Sequence, residues 1–255
     1  MEVWRDLGEF AGHPVEKPYV AVGFFDGVHL GHRAVLSELR EMAELGAGGS
    51  VVVTFDAPEK DAWRAEALSY TAERLDRLAE TGIDGVLLLD FDDDLQRLDA
   101  SSFIDEYVVK SLGAAGVCVG YDHRFGRGGA GDFSTVAALG KKHGFEVRAA
   151  APLAVGGRVI SSTFIRRLLS AGDVAAAARL LGYKYEVEGT VVPGDGIAGP
   201  ELGYPTANLE PKRKLLPGYG VYAGLVYVGL EPFGSARSYP SGGTGSRPVE
   251  ISPAG

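Results

Sequence analysis

Two histidines three residues apart, His29 and His32, stand with Asp26, Gly27 and Gly31 in the stretch YVAVGFFDGVHLGH, residues 19–32. An imidazole can donate a hydrogen bond or carry a positive charge, and either suits a phosphate oxygen. Glycine lets a backbone turn sharply or a ligand come close, which gives Gly27 and Gly31 a reason to be there. A single histidine in a turn is most often just a satisfied polar group. Two at this spacing, with a carboxylate and two glycines, read as a site. Zinc would want companion thiolates or the outer hydrogen-bond partners of a metal-bound imidazole, and neither pattern accompanies this set. The dinucleotide G-x-G-x-x-G and the Walker G-x-x-x-x-G-K-[ST] are both absent from the stretch.

The elements around these residues follow from periodicity. Tyr19–Val22 is an apolar run ending in Gly23, hence a buried strand. Arg33–Leu45 spaces Val35, Leu36, Leu39, Met42 and Leu45 as one helical face. The histidines therefore sit where a strand turns into a helix N-terminus, whose first amides have no partner within the helix and make an anion site. Ser50–Phe55, Val86–Asp90, Gly116–Gly120 and Phe145–Ala150 read as further strands. Helices are expected over Thr71–Glu80, with Leu75 and Leu78 inward, over Phe103–Leu112, capped by Ser102 and Asp105, and over Phe133–His143. Such alternation predicts βαβ units and a mostly parallel sheet, with ligands outside the carboxyl ends of the strands.

Two more strand ends carry chemistry. Tyr121–Arg127 opens a flexible glycine-rich loop (Gly126, Gly128, Gly129, Gly131) that would bring Arg124 and Arg127 to phosphates, with Phe125 as an aromatic wall. Guanidinium forks onto phosphate oxygens and is always charged. The plainer alternative is a solvated basic loop. In ISSTFIRR, residues 160–167, Ser161, Ser162 and Thr163 open a helix that Gly172 ends, and capping alone would explain them. The short helix Val174–Leu181 follows, with Asp173 as N-cap and Gly182 as C-cap. Beyond it the grammar changes: Tyr183–Val192 alternates with period two, as does KLLPGYGVYAGLVYVG.

At these motifs the chain resembles a known family. GFFDGVHLGH is similar to the G-x-F-D-G-x-H-x-G-H signature of the bacterial bifunctional riboflavin kinase/FMN adenylyltransferases, the FAD synthases, and its H-x-G-H core is shared with the wider nucleotidyltransferases. Thr54–Phe55 resembles part of the family's T-F-x-P-H-P. Tyr121–Gly126 resembles V-G-x-D-F-R-F-G, with His123 where an aromatic is usual. Ser161–Arg166 resembles S-S-T-x-I-R, with Phe164 where arginine is common. GYPTANL resembles the riboflavin kinase motif G-x-P-T-A-N-L, with Pro200 where the family commonly has arginine.

The resemblance implies transfer of AMP from ATP to FMN, giving FAD and pyrophosphate. The FMN phosphate would attack the α-phosphorus in line, and Mg2+ would bridge phosphate oxygens. It assigns His29, His32 and Arg166 to catalysis, and Gly23, Phe24, Asp26, Gly31, Ser162 and Thr163 to ATP. Phe55, Asp122, Arg124, Phe125 and Arg127 fall to flavin or substrate, and Asp122 would orient ribose or metal. Thr206 and Asn208 match residues holding the metal and nucleotide of the kinase. The expected fold is α/β: a Rossmann-like parallel-sheet nucleotidyltransferase domain over 1–182, then a smaller, incomplete antiparallel β-barrel kinase-like domain over 183–229. Residues 230–255, rich in Gly, Ser and Pro, are expected as a disordered tail. The family's kinase barrel needs more strands there and takes its catalytic carboxylate from them, so kinase activity is expected to be lost or impaired. The rival readings are another H-x-G-H nucleotidyltransferase and a non-catalytic flavin or nucleotide binder.

With 45% hydrophobic and 23% charged residues the composition is ordinary for a soluble globular protein. With 25 Lys plus Arg against 34 Asp plus Glu the net charge is −9, which argues against nucleic acid as partner and means phosphate-binding charge must be concentrated locally. The lone Cys118 excludes an internal disulfide and reads as a buried strand thiol. No stretch is long and apolar enough to span a membrane, and the mixed, acidic start is unlike a signal peptide, so a cytoplasmic monomer or weak homo-oligomer is expected.

Overall fold

The computed structural model describes residues 1–56, 66–192 and 208–227. Its sheet is built from β1 (Glu2–Trp4), β2 (Tyr19–Val22), β3 (Ser50–Asp56), β4 (Gly85–Asp90), β5 (Gly116–Gly120) and β6 (Glu146–Ala150). The order is β1-β4-β3-β2-β5-β6 and every pairing is parallel. From β2 the chain works outward through β3 and β4, while β5 and β6 build on its other side. The order thus reverses between β2 and β5, which is where open α/β sheets hold ligands.

Side-chain alternation sorts the strands onto two cores. Val51, Val53 and Phe55 join Val20, Leu87 and Val117 on one face, while Val52 joins Ala21, Val86 and Cys118 on the other. The second face is covered by α2 (Leu30–Leu45), through Leu36, Leu39 and Met42, and by Leu78 of α3 (Thr71–Ala79). The first face is covered by the helical run after β4 and by α6 (Phe133–His143). That run comprises α4 (Asp93–Arg97), α5 (Ala100–Phe103) and a π-helical continuation, Ile104–Ser111. Cys118 is fully buried, and burial pushes its thiol up to about 12, so it is the inert strand residue expected. After β6 a two-strand turn, β7 (Ala154–Val155) and β8 (Arg158–Val159), leads into α7 (Ser162–Ser170) and α8 (Val174–Leu181). These two pack together on Leu68 and Ile160 as a third core.

Four details depart from the sequence reading. The opening residues form β1 and α1 (Leu7–Gly12), because Trp4 and Phe10 pack edge to face, 5.0 Å apart, in the main core. The helix expected from Phe103 begins at Ala100. Its cap is Asp99, whose carboxylate accepts from the amides of both Ser101 and Ser102, while Asp105 is engaged by Lys142 and His143 across on α6. On α3 the buried side is charged: Glu73, Arg74 and Arg77 are buried with Leu78. Last, only Gly189–Val192 of the expected strand Tyr183–Val192 is a strand. This β9 pairs antiparallel with β10 (Asn208–Pro211).

Tyr183 and Tyr185 are diverted from that ladder because their hydroxyls bond the carbonyls of Gly27 and Leu215. Among the described residues, 212–227 hold no strand. Lys214 turns back into the protein to meet Glu73 at 2.6 Å and the Glu186 carbonyl at 2.9 Å, under the rings of Tyr70 and Tyr185. The expected tail, Thr206 and Pro200 lie outside the described residues.

Candidate active site

A cavity of about 650 Å³ opens at the β2/β5 reversal. Its polar end is made by the β2–α2 loop. That loop is strained: Phe25, Gly27 and Val28 all lie at positive φ, 50°, 78° and 37°, and a β-branched residue rarely does so. The surroundings hold it there. Thr54 donates to the Phe24 carbonyl, the Gly27 amide donates to Ser69 Oγ, and Gly23 donates to the Val53 carbonyl. Such strain kept by fixed neighbours is characteristic of functional loops.

His29 is the N-cap of α2, its Nδ1 accepting from the His32 amide at 3.2 Å. The two rings stack face to face at 3.6 Å and 15°. Burial lowers His29 to about 4 and His32 well below the usual imidazole value, with the Arg166 charge acting the same way on both. At neutral pH both imidazoles are thereby held in their neutral form, in which each can donate one hydrogen bond and accept another. His32 Nδ1 is buried and has no partner among the described residues. Orphaned polar atoms of this kind await a ligand or a proton donor.

Opposite stands the start of α7, capped by Ser161, whose hydroxyl accepts from the Phe164 amide. A Cβ on Gly31 would lie 3.1 Å from the His29 ring and 3.2 Å from the Ile160 carbonyl, so glycine lets the two helix starts meet. Two helix N-termini thus face one end of the cavity, each with unpaired amides and partial positive charge. Arg166 adds a full charge. Its Nη2 binds Asp26 at 2.6 Å and its Nε binds the Glu66 carbonyl at 2.7 Å. Asp26, 4% exposed, also accepts from the amides of Leu68 and Ser69 and from Ser69 Oγ. Its oxygens are occupied by protein donors, which makes it the anchor of Arg166 and of the loop. Asp26 balances the guanidinium's charge, so the positive potential at this end comes mainly from the two helix starts, while the second guanidinium lining the cavity, Arg124, lies 3.5 Å from Asp132.

The other end is apolar. Phe24 lies 5.1 Å from Phe55 and 4.9 Å from Phe91, while Phe103 is within 6.4 Å of both Phe55 and Phe125. Leu95 and Leu98 complete this wall. His123 stacks on Phe125 at 5.5 Å and 13°, and burial lowers it to about 4, so it stands as a neutral flat ring where an aromatic was expected.

Of the residues singled out by sequence, His29, His32, Arg166, Gly23, Phe24, Asp26, Gly31, Ser162, Phe55, Asp122, Arg124 and Phe125 all line this cavity. Thr163 and Arg127 do not, and both are exposed. Arg124 reaches Asp132 at 3.5 Å, and the Arg127 amide bonds the Leu98 carbonyl. The glycine-rich loop is docked rather than loose: a Cβ on Gly126 would lie 2.5 Å from the Ala100 nitrogen. Asn208 is exposed at the start of β10. Sequence reasoning missed Phe91, Leu95, Leu98, Phe103 and Ser69. Phe91 directly follows β4, so the strand-end rule applied to the other loops would have found it. Among the described residues no three His, Cys, Asp or Glu side chains are placed to hold a metal ion.

With this geometry in hand, the comparisons are specific. The FAD synthetase family model matches residues 13–164, and the riboflavin kinase family model matches residues 181–248. The chain belongs to the bifunctional riboflavin kinase/FMN adenylyltransferase family. The enzyme of that name from Escherichia coli (strain K12) is 36% identical over 227 residues, covering 88% of this chain and 72% of the relative. The one from Pseudomonas fluorescens is 39% identical over 214 residues, covering 82% and 68%. A solved structure described as a macrolide-efflux protein from Streptococcus pneumoniae superposes with a TM-score of 0.73 at 28% identity, covering 88% of this chain and 73% of that one. No helix among the described residues is long and apolar enough to cross a membrane. The family, the α/β fold and the adenylyltransferase activity expected from GFFDGVHLGH are therefore borne out. The riboflavin kinase match runs past Leu230, where the sequence reading ended its resemblance.

Proposed function

We propose that the cavity binds ATP at its polar end and FMN along its aromatic end, and joins them as FAD. The observation that carries this reading is the pairing of two facing helix N-termini, with His29, His32 and Arg166, to a phenylalanine-lined wall in one cavity. An oxygen of the FMN phosphate attacks the α-phosphorus of ATP. The new P–O bond forms as the α–β bridge breaks, and pyrophosphate leaves with the electron pair. The attacking phosphate is already ionised, so no general base is needed, and positioning with charge neutralisation carries the rate.

Neutral His29 and His32 donate N–H to phosphate oxygens. Arg166, Ser162 and the first amides of α7 receive the pyrophosphate. Asp26 keeps the guanidinium aimed. Phe24, Phe55 and Phe125 flank the flavin, and Asp122 and Arg124 border its entrance. Bound magnesium would supply Lewis-acid neutralisation between phosphate oxygens. Among the described lining residues, Asp122 is the carboxylate not engaged by Arg166 and would help hold it.

Incubation with FMN, ATP and magnesium should yield FAD and pyrophosphate in equal amounts. Flavin bound without FAD formed would favour the binder reading, and transfer to an acceptor other than FMN would favour another nucleotidyltransferase. The expected loss of riboflavin phosphorylation concerns residues outside those described. The same assay with riboflavin replacing FMN measures it, and FMN formed as fast as FAD contradicts that expectation.

A further inference from the structure

The loop that carries His29 is also fastened from a place the reaction does not otherwise involve. Tyr183, just past the end of α8, donates its hydroxyl to the Gly27 carbonyl at 2.7 Å. The ring is itself held: the Arg77 guanidinium lies 4.1 Å from its centroid, and Arg77 is fixed by Glu80 and Glu186 at 2.9 Å each. Gly27 is the middle of the strained segment, φ 78°, between Phe25 and Val28. Its amide is taken by Ser69 Oγ and its carbonyl by Tyr183, so both of its polar groups are pinned from outside the loop. Two residues later His29 caps α2 and sets the pose of the His32 ring stacked on it.

We propose that Tyr183 is a positioning residue for adenylyl transfer. It fixes the Gly27 carbonyl and, through it, the aim of His29 and of the first turn of α2. The bond also joins the two matched regions, since Gly27 falls within the FAD synthetase match and Tyr183 within the riboflavin kinase match. The second region thereby reaches into the first region's catalytic loop. Without the hydroxyl, the strained loop loses the restraint on its Gly27 carbonyl, and displacing reacting groups by about an ångström is enough to slow catalysis by one to two orders of magnitude. An internal control lies two residues away. Tyr185 makes a bond of the same kind, hydroxyl to the Leu215 carbonyl at 2.6 Å, within the same third core but not to the loop.

The inference rests on the adenylyltransferase reading, and the experiment separates the two. FAD formation by the unaltered full chain tests that reading, and comparison of two variants with it tests this one. Tyr183→Phe keeps the ring and should lower kcat for FAD formation about tenfold, with KM for FMN within about twofold of the unaltered chain. The two variants should lower the melting temperature by similar amounts, while Tyr185→Phe should leave kcat within about twofold. The proposal is overturned if Tyr183→Phe retains its kcat, or if Tyr185→Phe loses as much.

Discussion

On the proposed function, His29 and His32 would serve a polyanion without being cations. Their rings are stacked at 3.6 Å beside Arg166, so a proton on either would face both the other ring and the guanidinium. A neutral imidazole still presents one N–H, and in a buried position that donor is worth more than at a surface. His32 Nδ1 is buried and has no partner among the described residues, so an incoming ligand meets an unsatisfied atom there. Removing the ring should therefore act on the rate. His32→Ala is expected to raise the barrier by about 2–4 kcal/mol, as loss of a preorganised donor does. Steady-state kcat for FAD formation measures this, and turnover near that of the unaltered enzyme would rule the role out.

At the scale of elements, the sheet and its flanking helices were readable because their signals are local. Ser50–Phe55 is apolar apart from Ser50 and Thr54, as suits a strand buried on both faces, and Arg33–Leu45 has an apolar stripe of which Leu45, expected inward, is instead exposed. The loop chemistry was readable for a similar reason, since each reactive set follows a strand. What was hidden depends on tertiary partners. Nothing local says that α3 buries Glu73, because the reason is Lys214, 141 residues later. Nor does alternation in YKYEVEGTVV reveal that two of its tyrosines abandon the ladder for carbonyls elsewhere.

The Glu73–Lys214 pair is testable. Both side chains are almost inaccessible, and burial, outweighing their attraction, pushes Glu73 up and Lys214 down. Removing one partner strands the other in the interior. Lys214→Met should cost about 3–5 kcal/mol of unfolding free energy. Adding Glu73→Gln should restore much of that loss, so urea unfolding of the single and double variants distinguishes a buried pair from an idle one.

For the whole molecule, three histidines whose pKa values are lowered predict a loss of stability in acid. His29 and His123 are lowered to about 4 and His32 falls further, all chiefly by burial, against an ordinary value of 6.5. Between those limits the unfolded chain binds more protons than the folded one, so stability rises with pH. The contribution is complete above 6.5 and is lost progressively as pH falls toward 4. The melting temperature should drop between about pH 7.5 and about pH 5, and His123→Phe, which cannot titrate, should make that drop smaller. An unchanged slope in that variant would remove His123 from the account.

The phosphate grip is assembled from parts far apart along the chain. Asp26 and Gly27 are secured by Leu68 and Ser69, 42 residues on, by Arg166, 140 residues on, and by Tyr183, 156 residues on. Contacts this distant close late, since each must first overcome the entropy of a long loop. During synthesis the signature histidines emerge well ahead of Arg166 and Tyr183, so their loop gains its full set of restraints only after those residues have followed.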